Sequence, residues 1–361
     1  MHDRLKLLYV VEAMGGGVFT YIVDLANELA NVYDVYIAYA LRPQTPEDYE
    51  NYFDKRIHLI RVKNFTRSLN PVKDIKAFFE IKHIENQIKP DIIHLHSSKA
   101  GVIGRLAFNG KKTPLFYTPH GYSFLMSNHS KLKRNFYYLI EFICGKRNCT
   151  TISCSQGEHK ESLKIAKSAT FVDNGVNIKQ LQRILNVVEP KGKNKFTIFT
   201  LGRICHQKNP DLFNCIAEKM PEVRFLWIGD GELRNRLTAP NIEITGWIER
   251  EDALKYSISA NAFILTSLWE GLPISLLEAM YMKKICIVSD VIGNRDVINN
   301  NINGFVCNSV DEFVKAIKLA QYEDNSEMIN RAYMDILEKY NTSVMAMKYK
   351  NIYQSQVNIN T

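Results

Sequence analysis

The sequence lacks any uninterrupted apolar run close to the roughly 18 residues that a membrane-spanning helix needs. It also lacks the pattern of a secretory leader, because its first apolar run is short and ends at Glu12. Internal repeats of short period are missing too, which excludes a solenoid. With 46% hydrophobic and 23% charged residues, the composition is that of a globular protein. We expect a soluble, cytoplasmic protein.

Cysteine pairs of the Cys-x-x-Cys type are absent, and the seven cysteines are an odd number, so neither a disulfide framework nor a zinc ribbon is supported. Cys144, Cys149 and Cys154 are evenly spaced, but Cys154 lies in a predicted strand and Cys144 ends an apolar helix. We expect all three to be buried free thiols. His94 and His96 share one face of a predicted strand, yet no clear third metal ligand accompanies them.

A dinucleotide-binding fingerprint is also missing. The first strand runs into Gly15–Gly17, but no Gly-x-Gly-x-x-Gly of the required context follows, and Asp34 comes too early for the usual ribose-binding acid. A nicotinamide-dependent enzyme is therefore disfavoured. The three glycines give a permissive backbone that can bend around a phosphate or an acceptor before a helix begins.

Acidic residues are scarce in the first half of the chain. Residues 1–185 hold 26 Lys and Arg against 17 Asp and Glu, whereas residues 186–361 hold 20 against 21. The halves therefore carry +9 and −1 of the net charge of +8. This asymmetry points to an anionic partner of the first half, either nucleic acid or an acidic membrane surface, or to a merely basic solvated surface. Nucleic acid is the weakest of these options, because the basic residues form no recognisable module.

What the sequence does contain, over most of its 361 residues, is an alternation of short apolar runs with segments of helical period. This alternation predicts an α/β protein with two Rossmann-like, doubly wound parallel-sheet domains that face each other across a cleft, followed by C-terminal helices. The predicted first domain covers residues 1–185 and the second covers 196–338. The charged segment at 186–195 is predicted as a linker, and 339–361 as a helix that packs back toward the first domain.

The apolar runs predict strands at 5–11, 35–40, 57–62, 92–96, 115–118, 151–154, 196–201, 223–228, 242–244, 262–265 and 285–288. The intervening segments predict helices at 18–30, 73–89, 100–108, 132–144, 156–166, 210–219, 232–237, 251–257 and 274–281, and the chain is predicted to be helical after about residue 309.

The most informative segment runs from Glu270 to Glu278, directly after the predicted strand 262–265. Ligands of open α/β sheets bind at the carboxyl ends of strands. Gly271 and Pro273 let the backbone approach a ligand and start a helix with free N–H groups, and Glu278 falls in the first two turns of that helix. Carboxylates accept hydrogen bonds from sugar hydroxyls while backbone amides hold anions. The segment therefore suits a ligand that carries hydroxyls and phosphate, although an ordinary strand-to-helix turn with solvated acids is the alternative.

Two cations follow the strand 196–201. Gly202 and Arg203 form a turn, Lys208 follows five residues later, and a helix starts at Pro210. Arg offers a fork to phosphate oxygens and Lys a mobile charge, so the pair can grip a diphosphate and stabilise a leaving nucleotide, unless Lys208 is an ordinary surface residue.

Further candidates lie at the ends of other strands. Gly229 again allows a close backbone approach beside a helix start. Trp247 lies where the backbone can pair with a nucleobase, but a tryptophan anchored in the core is the favoured interpretation. His120 ends the strand 115–118, where an imidazole can contact a sugar hydroxyl or move a proton, although a structural role is the more common one.

Taken together, Gly15–Gly17, His120 with Gly121, the Gly202–Lys208 turn, Gly229–Gly231 and the Glu270–Glu278 segment resemble the retaining, family 4 glycosyltransferases with the two-domain GT-B fold. The similarity covers nearly the whole chain, and the two glutamates eight positions apart are its specific part. Ser97–Gly101 and His120–Phe124 are also similar to bacterial capsule, exopolysaccharide and lipopolysaccharide glycosyltransferases.

This resemblance implies a nucleotide-sugar donor, most simply a uridine diphosphate sugar, and a glycan or lipid-linked saccharide acceptor on the N-terminal domain. The implied catalytic residues are His120, Glu270, Arg203 and Lys208. Arg203 and Lys208 hold the diphosphate, Glu278 the ribose and Glu270 the transferred sugar, which His120 reaches from the opposite domain. The implied donor contacts are Gly16, Gly17, Gly202, Arg203, Lys208, Gly229, Trp247, Glu270, Gly271, Leu272, Pro273, Ile274 and Glu278. No metal or other cofactor is implied.

One position departs from the family pattern. After the strand 285–288, where the family commonly has two glycines and a glutamate, this chain has Ile292 to Asp296, so a shorter acid replaces the usual one. The departure affects the expected donor contacts and hence the identity of the sugar.

The resemblance also implies work near the inner face of the cytoplasmic membrane, since the acceptors of the family are often lipid-linked. The segment 128–138 mixes cations with aromatic residues and can lie on that surface. The alternative is a helix whose aromatic face is core and whose basic face is solvated. Two other functions stay open: a sugar-nucleotide epimerase of the same fold and a catalytically silent subunit of a polysaccharide-synthesis complex.

Overall fold

The structure is a computed structural model that describes residues 4–66, 68, 70–126, 129–186 and 195–360. Positions 187–194 of the predicted linker and Asn128 of the basic aromatic segment lie outside the described residues. The chain forms two compact units. The first contains the chain up to Leu125, His129–Asn174 and the segment from Thr342 onward, and the second contains Gly175–Asn341.

The first unit is built on a parallel sheet. Its strands are β1 (Lys6–Met14), β2 (Asp34–Leu41), β3 (His58–Arg61), β4 (Ile92–His96), β5 (Leu115–Thr118), β6 (Thr150–Ser153) and β7 (Ser168–Phe171). They form a seven-stranded sheet in the order β3-β2-β1-β4-β5-β6-β7. The accompanying helices are α1 (Gly16–Leu29), α2 (Pro71–Ile88), α3 (Ser98–Ala107), α4 (Lys131–Gly145) and α5 (Gln156–Ile165).

The second unit repeats this architecture. Its strands are β8 (Thr197–Leu201), β9 (Arg224–Ile228), β10 (Ile242–Ile244), β11 (Ala262–Leu265), β12 (Ile285–Ser289) and β13 (Phe305–Cys307). They form a six-stranded parallel sheet in the order β10-β9-β8-β11-β12-β13. The helices are α6 (Ile178–Leu185), α7 (Pro210–Glu218), α8 (Arg250–Ser259), α9 (Ile274–Tyr281), α10 (Asn294–Val297), α11 (Val310–Tyr322) and α12 (Ser326–Glu338).

The last helix, α13 (Thr342–Asn360), belongs to the first unit, where it packs against α1. Tyr349 and Tyr353 on α13 are fully buried, and the Tyr21 hydroxyl of α1 donates a hydrogen bond of 2.5 Å to the Tyr349 hydroxyl. These aromatic residues join α1 and the sheet in one hydrophobic core. The opposite face of the same sheet is covered by α2, α3 and α5 around a second core.

The inner strands of both sheets are buried on both faces, which explains why the sequence shows short continuous apolar runs. Every residue of β4, β5, β11 and β12 is buried. The prediction of two doubly wound parallel sheets followed by C-terminal helices is confirmed. Cys144, Cys149 and Cys154 are free and buried, also as predicted.

The prediction of a helix at 232–237 is wrong. Only a 3-10 turn at Arg234–Arg236 is present there. The reason is a tertiary contact, because the Asn214 side-chain oxygen accepts hydrogen bonds from the backbone N–H groups of Thr238 (2.7 Å) and Ala239 (2.9 Å). These bonds pull the backbone into an extended path before a helical turn can propagate.

Candidate functional site

The second sheet changes its winding direction between β8 and β11. From β8 the chain adds β9 and β10 on one side, and it then returns to place β11, β12 and β13 on the other. Loops that leave the carboxyl ends of the two strands at such a point diverge and leave a ligand-binding crevice. The loop after β8 carries Lys208 and the loop after β11 carries Glu270, so the two predicted site residues lie on the two loops of this switch point.

Lys208 and Glu270 form an ion pair. The Lys208 ammonium lies 2.6 Å from Glu270 Oε1, and the side chains are only 16% and 7% exposed. Ser267 Oγ donates to the same oxygen at 2.6 Å, and the Gln207 amide donates to Oε2 at 3.2 Å. A carboxylate has about four acceptor sites, so Glu270 keeps capacity for one further donor such as a hydroxyl.

The two loops are also joined through their backbones. Leu268 N donates to the Gln207 carbonyl at 2.8 Å, and the Thr266 hydroxyl donates to the Lys208 carbonyl at 2.7 Å. Asn209 adopts a left-handed conformation with φ of 51° and caps α7, which starts at Pro210. Lys208 is therefore fixed between a helix cap and the neighbouring loop, which limits the directions that its side chain can take.

Hydrogen bonds from the end of the next strand support the loop that carries Glu270. Ser289 at the end of β12 donates from its hydroxyl to the Ser267 carbonyl at 2.6 Å, and the Asn294 amide donates to the Ser289 carbonyl at 3.0 Å. Gly293, with φ of 86°, packs so closely on this loop that a Cβ there would lie 2.4 Å from the Gly271 carbonyl oxygen. The site therefore requires glycine at position 293.

Asp296 stabilises the backbone at the start of a short helix. Its Oδ2 accepts a hydrogen bond of 3.1 Å from the Gly293 backbone, which caps the short helix α10. This contact holds Gly293 against the Glu270 loop. The shorter acid that departs from the family pattern thus supports the loop geometry.

Glu278 lies in the middle of α9 and is 2% exposed. Its Oε1 accepts a hydrogen bond from the Arg250 guanidinium, whose side chain is 25% exposed. Ahead of it, Leu272 and Pro273 are buried, Ile274 is half-buried, and Pro273 precedes the first turn of the helix. Arg250 was not predicted as a site residue, since nothing in its local sequence marks it.

Arg203 lies on the rim of the β8 loop, where its Nε donates to Glu232 Oε2 at 2.9 Å. The Arg203 side chain is 33% exposed and that of Glu232 is 52% exposed. An exposed pair of this kind is worth little energy and can be exchanged for a better anion. Glu232 is thus a partner of Arg203 that the sequence analysis missed.

Two glycines bring the ends of β8 and β9 together. Gly202 and Gly229 have φ of 144° and 135°, and a Cβ on Gly229 would lie 2.3 Å from the Gly202 carbonyl oxygen. The buried Trp227 donates from its indole N–H to the same carbonyl at 2.9 Å. The close approach predicted for Gly229 is therefore made to the backbone of the neighbouring loop.

Trp247 follows Gly246 after β10 and is 61% exposed. The favoured sequence interpretation, a tryptophan anchored in the core, is wrong; Trp227 has that position instead. Gly246, directly before it, has φ of 76°. Its predicted donor contact stays a prediction.

In the first unit, Gly16 and Gly17 begin α1 directly after β1, two residues earlier than predicted. Gly16 has φ of 56°, and added Cβ atoms at either glycine would meet no heavy atom within 4 Å. The surface beside them is open, as an approaching ligand requires.

His120, which is half-buried, forms a cluster with the buried histidines His94 and His96. It has a left-handed backbone with φ of 55°, and its Nε2 lies 3.2 Å from His96 Nδ1. His94 lies in the same cluster and is hydrogen-bonded through its two ring nitrogens to the hydroxyls of Tyr353 (2.6 Å) and Thr118 (2.9 Å). Burial lowers the pKa of His120 to about 3, and burial together with the neighbouring histidines lowers the pKa of His94 and His96 well below the usual value. All three rings are neutral at pH 7.

The cluster predicts acid sensitivity. In the unfolded chain the same rings titrate at about pH 6.5. Below that pH the unfolded state therefore binds protons that the folded state does not bind. The contribution of the neutral rings to the free energy of unfolding is therefore complete above about pH 6.5. It falls as the pH is lowered, by up to about 1.4 kcal/mol per pH unit for each neutral histidine. Urea unfolding followed by circular dichroism between pH 7 and pH 5 measures this slope.

The variant His94→Gln should show a smaller pH slope, because one of the buried rings is gone. The matched control is His83→Gln on the exposed side of α2, which should keep the full slope. Equal slopes for the wild type and His94→Gln would refute the explanation.

Among the described residues, no cluster of three or more His, Cys, Asp or Glu side chains is arranged to hold a metal ion. His94 and His96 are instead occupied with hydroxyl groups and with His120. No helix in the described ranges has both the length and the apolar character to cross a membrane.

Two sequence families match this chain, one on each half. The family described as Glycosyltransferase Family 4 matches residues 15–180, and the family described as Glycosyl transferases group 1 matches residues 182–335. The chain belongs to the group 1, family 4 glycosyltransferases. The predicted class, a family 4 glycosyltransferase, is confirmed, which favours glycosyl transfer over the epimerase and silent-subunit alternatives.

Similar proteins agree with this membership. The Escherichia coli UDP-Gal:α-D-GlcNAc-diphosphoundecaprenol α-1,3-galactosyltransferase is 29% identical over 85% of this chain and 86% of its own length. Sucrose-phosphate synthase from Thermosynechococcus elongatus has the same fold, with a TM-score of 0.82 at 15% identity over 99% of this glycosyltransferase and 100% of that chain. Anabaena HepE, solved with UDP and glucose, has a TM-score of 0.76 at 14% identity over 98% and 100% of the two chains.

Proposed function

We propose that this enzyme transfers a hexose or N-acetylhexosamine from a uridine diphosphate sugar to a lipid-linked saccharide, with retention of the anomeric configuration, in the synthesis of a bacterial surface polysaccharide. The observation that carries the proposal is the Lys208–Glu270 ion pair at the switch point of the second sheet, 2.6 Å between ammonium and carboxylate. The pair combines a cation that can bind a diphosphate with a carboxylate that can bind a sugar hydroxyl.

In this proposal the donor binds along the carboxyl edge of the second sheet. Lys208 and Arg203 hold the diphosphate, and Arg203 exchanges its exposed Glu232 partner for a phosphate oxygen. Glu278 accepts hydrogen bonds from the ribose hydroxyls beside its bond to Arg250. The backbone N–H groups around Gly271–Ile274, where α9 begins, face the anionic end of the donor, and Pro273 contributes none of them.

Glu270 and Lys208 then have complementary roles in the reaction. Glu270 orients the transferred sugar through a hydroxyl group, while Lys208 stabilises the negative charge that grows on the departing diphosphate. The acceptor hydroxyl forms the new bond to the anomeric carbon as the bond to the diphosphate oxygen breaks on the same face. The hydroxyl proton passes to the leaving phosphate oxygen, so no separate base is required.

The donor and acceptor classes are inferred from the similar proteins. The Escherichia coli relative is named for UDP-Gal and for an undecaprenyl diphosphate-linked acceptor, and the HepE structure holds UDP and glucose. The first unit would bind the acceptor beside Gly16 and Gly17 at the inner face of the cytoplasmic membrane. The contact of His120 with the donor sugar stays a prediction.

A thermal-shift comparison tests the donor class. UDP and UDP-sugars should raise the melting temperature by about 5 °C at a hundredfold excess over Kd, because a ligand of the native state stabilises it by about 2.7 kcal/mol at that excess. GDP, ADP and their sugars should give much smaller shifts. Stabilisation by guanosine or adenosine nucleotides alone would contradict the uridine assignment.

Product analysis separates the three functions. With donor alone, an epimerase converts the sugar nucleotide, whereas a transferase leaves it largely intact. With donor and a polyprenyl diphosphate-linked saccharide, a transferase releases UDP and elongates the lipid. Binding of the donor without release of UDP under both conditions would favour the silent subunit.

A further inference from the structure

Two aromatic rings lie on the two loops that carry Lys208 and Glu270. His206 is exposed on the loop after β8, and Trp269 is half-buried on the loop after β11, directly before Glu270. The ring centroids of His206 and Trp269 are 5.8 Å apart, and the ring planes are tilted by 47°. Rings at this separation attract each other in tilted arrangements, so His206 limits the orientations that the indole can take. We call His206 and Trp269 the aromatic pair.

Gln207 joins the aromatic pair to the Lys208–Glu270 ion pair. Its side-chain amide donates to the Trp269 carbonyl at 3.0 Å and to Glu270 Oε2 at 3.2 Å. Its own carbonyl accepts a hydrogen bond of 2.8 Å from Leu268 N. The same residue therefore fixes the backbone that carries the indole and the carboxylate that Lys208 contacts.

The core of the second unit does not account for the Trp269 ring. Trp227 is 1% exposed and donates from its indole N–H to the Gly202 carbonyl, so its ring belongs to the core. In the part of the chain that the structure describes, Trp269 belongs to neither of the two hydrophobic cores of this unit. Aromatic side chains outside the core are typical of the lining of ligand sites. A half-buried indole on a ligand-binding crevice therefore indicates contact with a ligand.

A sugar ring offers two kinds of surface that Trp269 and Glu270 together can bind. Its hydroxyl groups donate hydrogen bonds to a carboxylate, and the partly positive C–H groups of its face pack on the negative face of an aromatic ring. Consecutive Cα atoms are about 3.8 Å apart. A sugar that donates a hydroxyl to Glu270 therefore lies within reach of the neighbouring indole.

We propose that the Trp269 indole, supported by His206, is a stacking surface for a hexose ring at the switch-point crevice. The inference rests on the proposed function, because it takes Glu270 as the carboxylate that binds a sugar hydroxyl. The transferred sugar of the donor and the terminal sugar of the acceptor share this chemistry. A ring packed against the indole cannot pivot about its hydrogen bond to Glu270, so the aromatic pair fixes the orientation of the sugar as well as its position.

Titration calorimetry with UDP, a UDP-hexose and a short polyprenyl diphosphate-linked saccharide tests the proposal. Trp269→Ala should bind UDP as the wild type does, because UDP carries no hexose. If the indole stacks on the donor sugar, Trp269→Ala binds the UDP-hexose about tenfold more weakly and the acceptor unchanged. If the indole stacks on the acceptor sugar, the acceptor binds about tenfold more weakly and the UDP-hexose unchanged.

Three further variants control the result. Trp269→Phe keeps an aromatic face and should retain most of the affinity, whereas His206→Ala should show a smaller loss than Trp269→Ala for the same ligand. Tyr322→Ala removes a ring that is 72% exposed at the end of α11, and it should match the wild type. Melting temperatures show whether each variant keeps the fold.

Unchanged affinities of Trp269→Ala for both the UDP-hexose and the acceptor would overturn the proposal. Equal losses for UDP and the UDP-hexose would overturn it too, since the indole would then support the loop or the nucleotide. A wild type that binds neither UDP nor the UDP-hexose would refute the proposed function, and the inference with it. Binding of UDP by every variant separates the two cases.

Discussion

Replacing Lys208 with methionine lowers kcat/KM for glycosyl transfer by about 10²–10³-fold, the effect of removing one group that stabilises a developing negative charge. The substitution takes away the cation proposed for the leaving diphosphate. It also leaves the Glu270 carboxylate, 7% exposed, without the ammonium 2.6 Å away that neutralises it. The unpaired carboxylate then repels the diphosphate. Steady-state kinetics with varied donor concentration measures the loss.

The matched control is Lys219→Met in the same unit. Lys219 is 53% exposed and pairs with Asp311 on the surface, so its loss should change kcat/KM by less than about twofold. Melting temperatures of both variants show whether the fold is kept. If Lys208→Met retained wild-type kcat/KM, the ion pair would be structural and the diphosphate role of Lys208 would be excluded.

Replacing Glu278 with glutamine weakens the binding of UDP and of the UDP-sugar alike, by about 10–100-fold, because hydrogen bonds to a charged group contribute about 1.5–3 kcal/mol. The ribose is common to both ligands and does not change in the reaction. The loss is therefore uniform, so KM rises while kcat stays nearly constant. Isothermal titration with UDP and steady-state kinetics test the two halves of this prediction.

Glu243→Gln is the control for this experiment. Glu243 is 50% exposed and pairs with Arg224 on the surface of the same unit, so its variant should bind UDP as the wild type does. Unchanged UDP affinity in Glu278→Gln would mean that Glu278 only anchors Arg250. A fall in kcat with unchanged KM would place Glu278 in the chemical step instead.

Much of the fold was predictable because the inner strands of both sheets are buried on both faces and give distinct apolar runs. The bounds of β4, β5, β10, β11 and α9 agree with the prediction residue for residue. Two edge strands were missed. β7 (Ser168–Phe171) is short and not buried at any position, and β13 (Phe305–Cys307) has three residues, so neither gives a distinct apolar run.

The site was predictable to the extent that its chemistry lies at the ends of strands. The sequence marked Lys208 and Glu270 separately, and the winding of the sheet joins them across 62 positions. Their supports could not be predicted. Arg250 and Glu232 become partners only through the tertiary fold, and a polar serine such as Ser267 gives no local signal that it donates to a carboxylate.

The segment 128–138, which enters α4, was the most ambiguous feature of the sequence. The alternative in which its aromatic face is core is wrong for Phe136, which is 51% exposed. Periodicity shows that Leu132, Phe136 and Leu139 share a face, but it does not show which face is buried. The buried partner of Glu141 decides the question, and Arg105 lies on a different helix. An amphipathic pattern alone therefore does not show which face of a helix is buried.

The anomeric configuration of the product tests the central claim most directly. A UDP-α-hexose is incubated with the enzyme and a short polyprenyl diphosphate-linked saccharide, and the anomeric proton coupling of the new linkage is read by NMR. Retaining transfer predicts a new α-linkage with the small coupling constant typical of that anomer in a gluco- or galacto-configured sugar, together with release of UDP. A new β-linkage, or conversion of the donor without elongation of the lipid, would contradict the account.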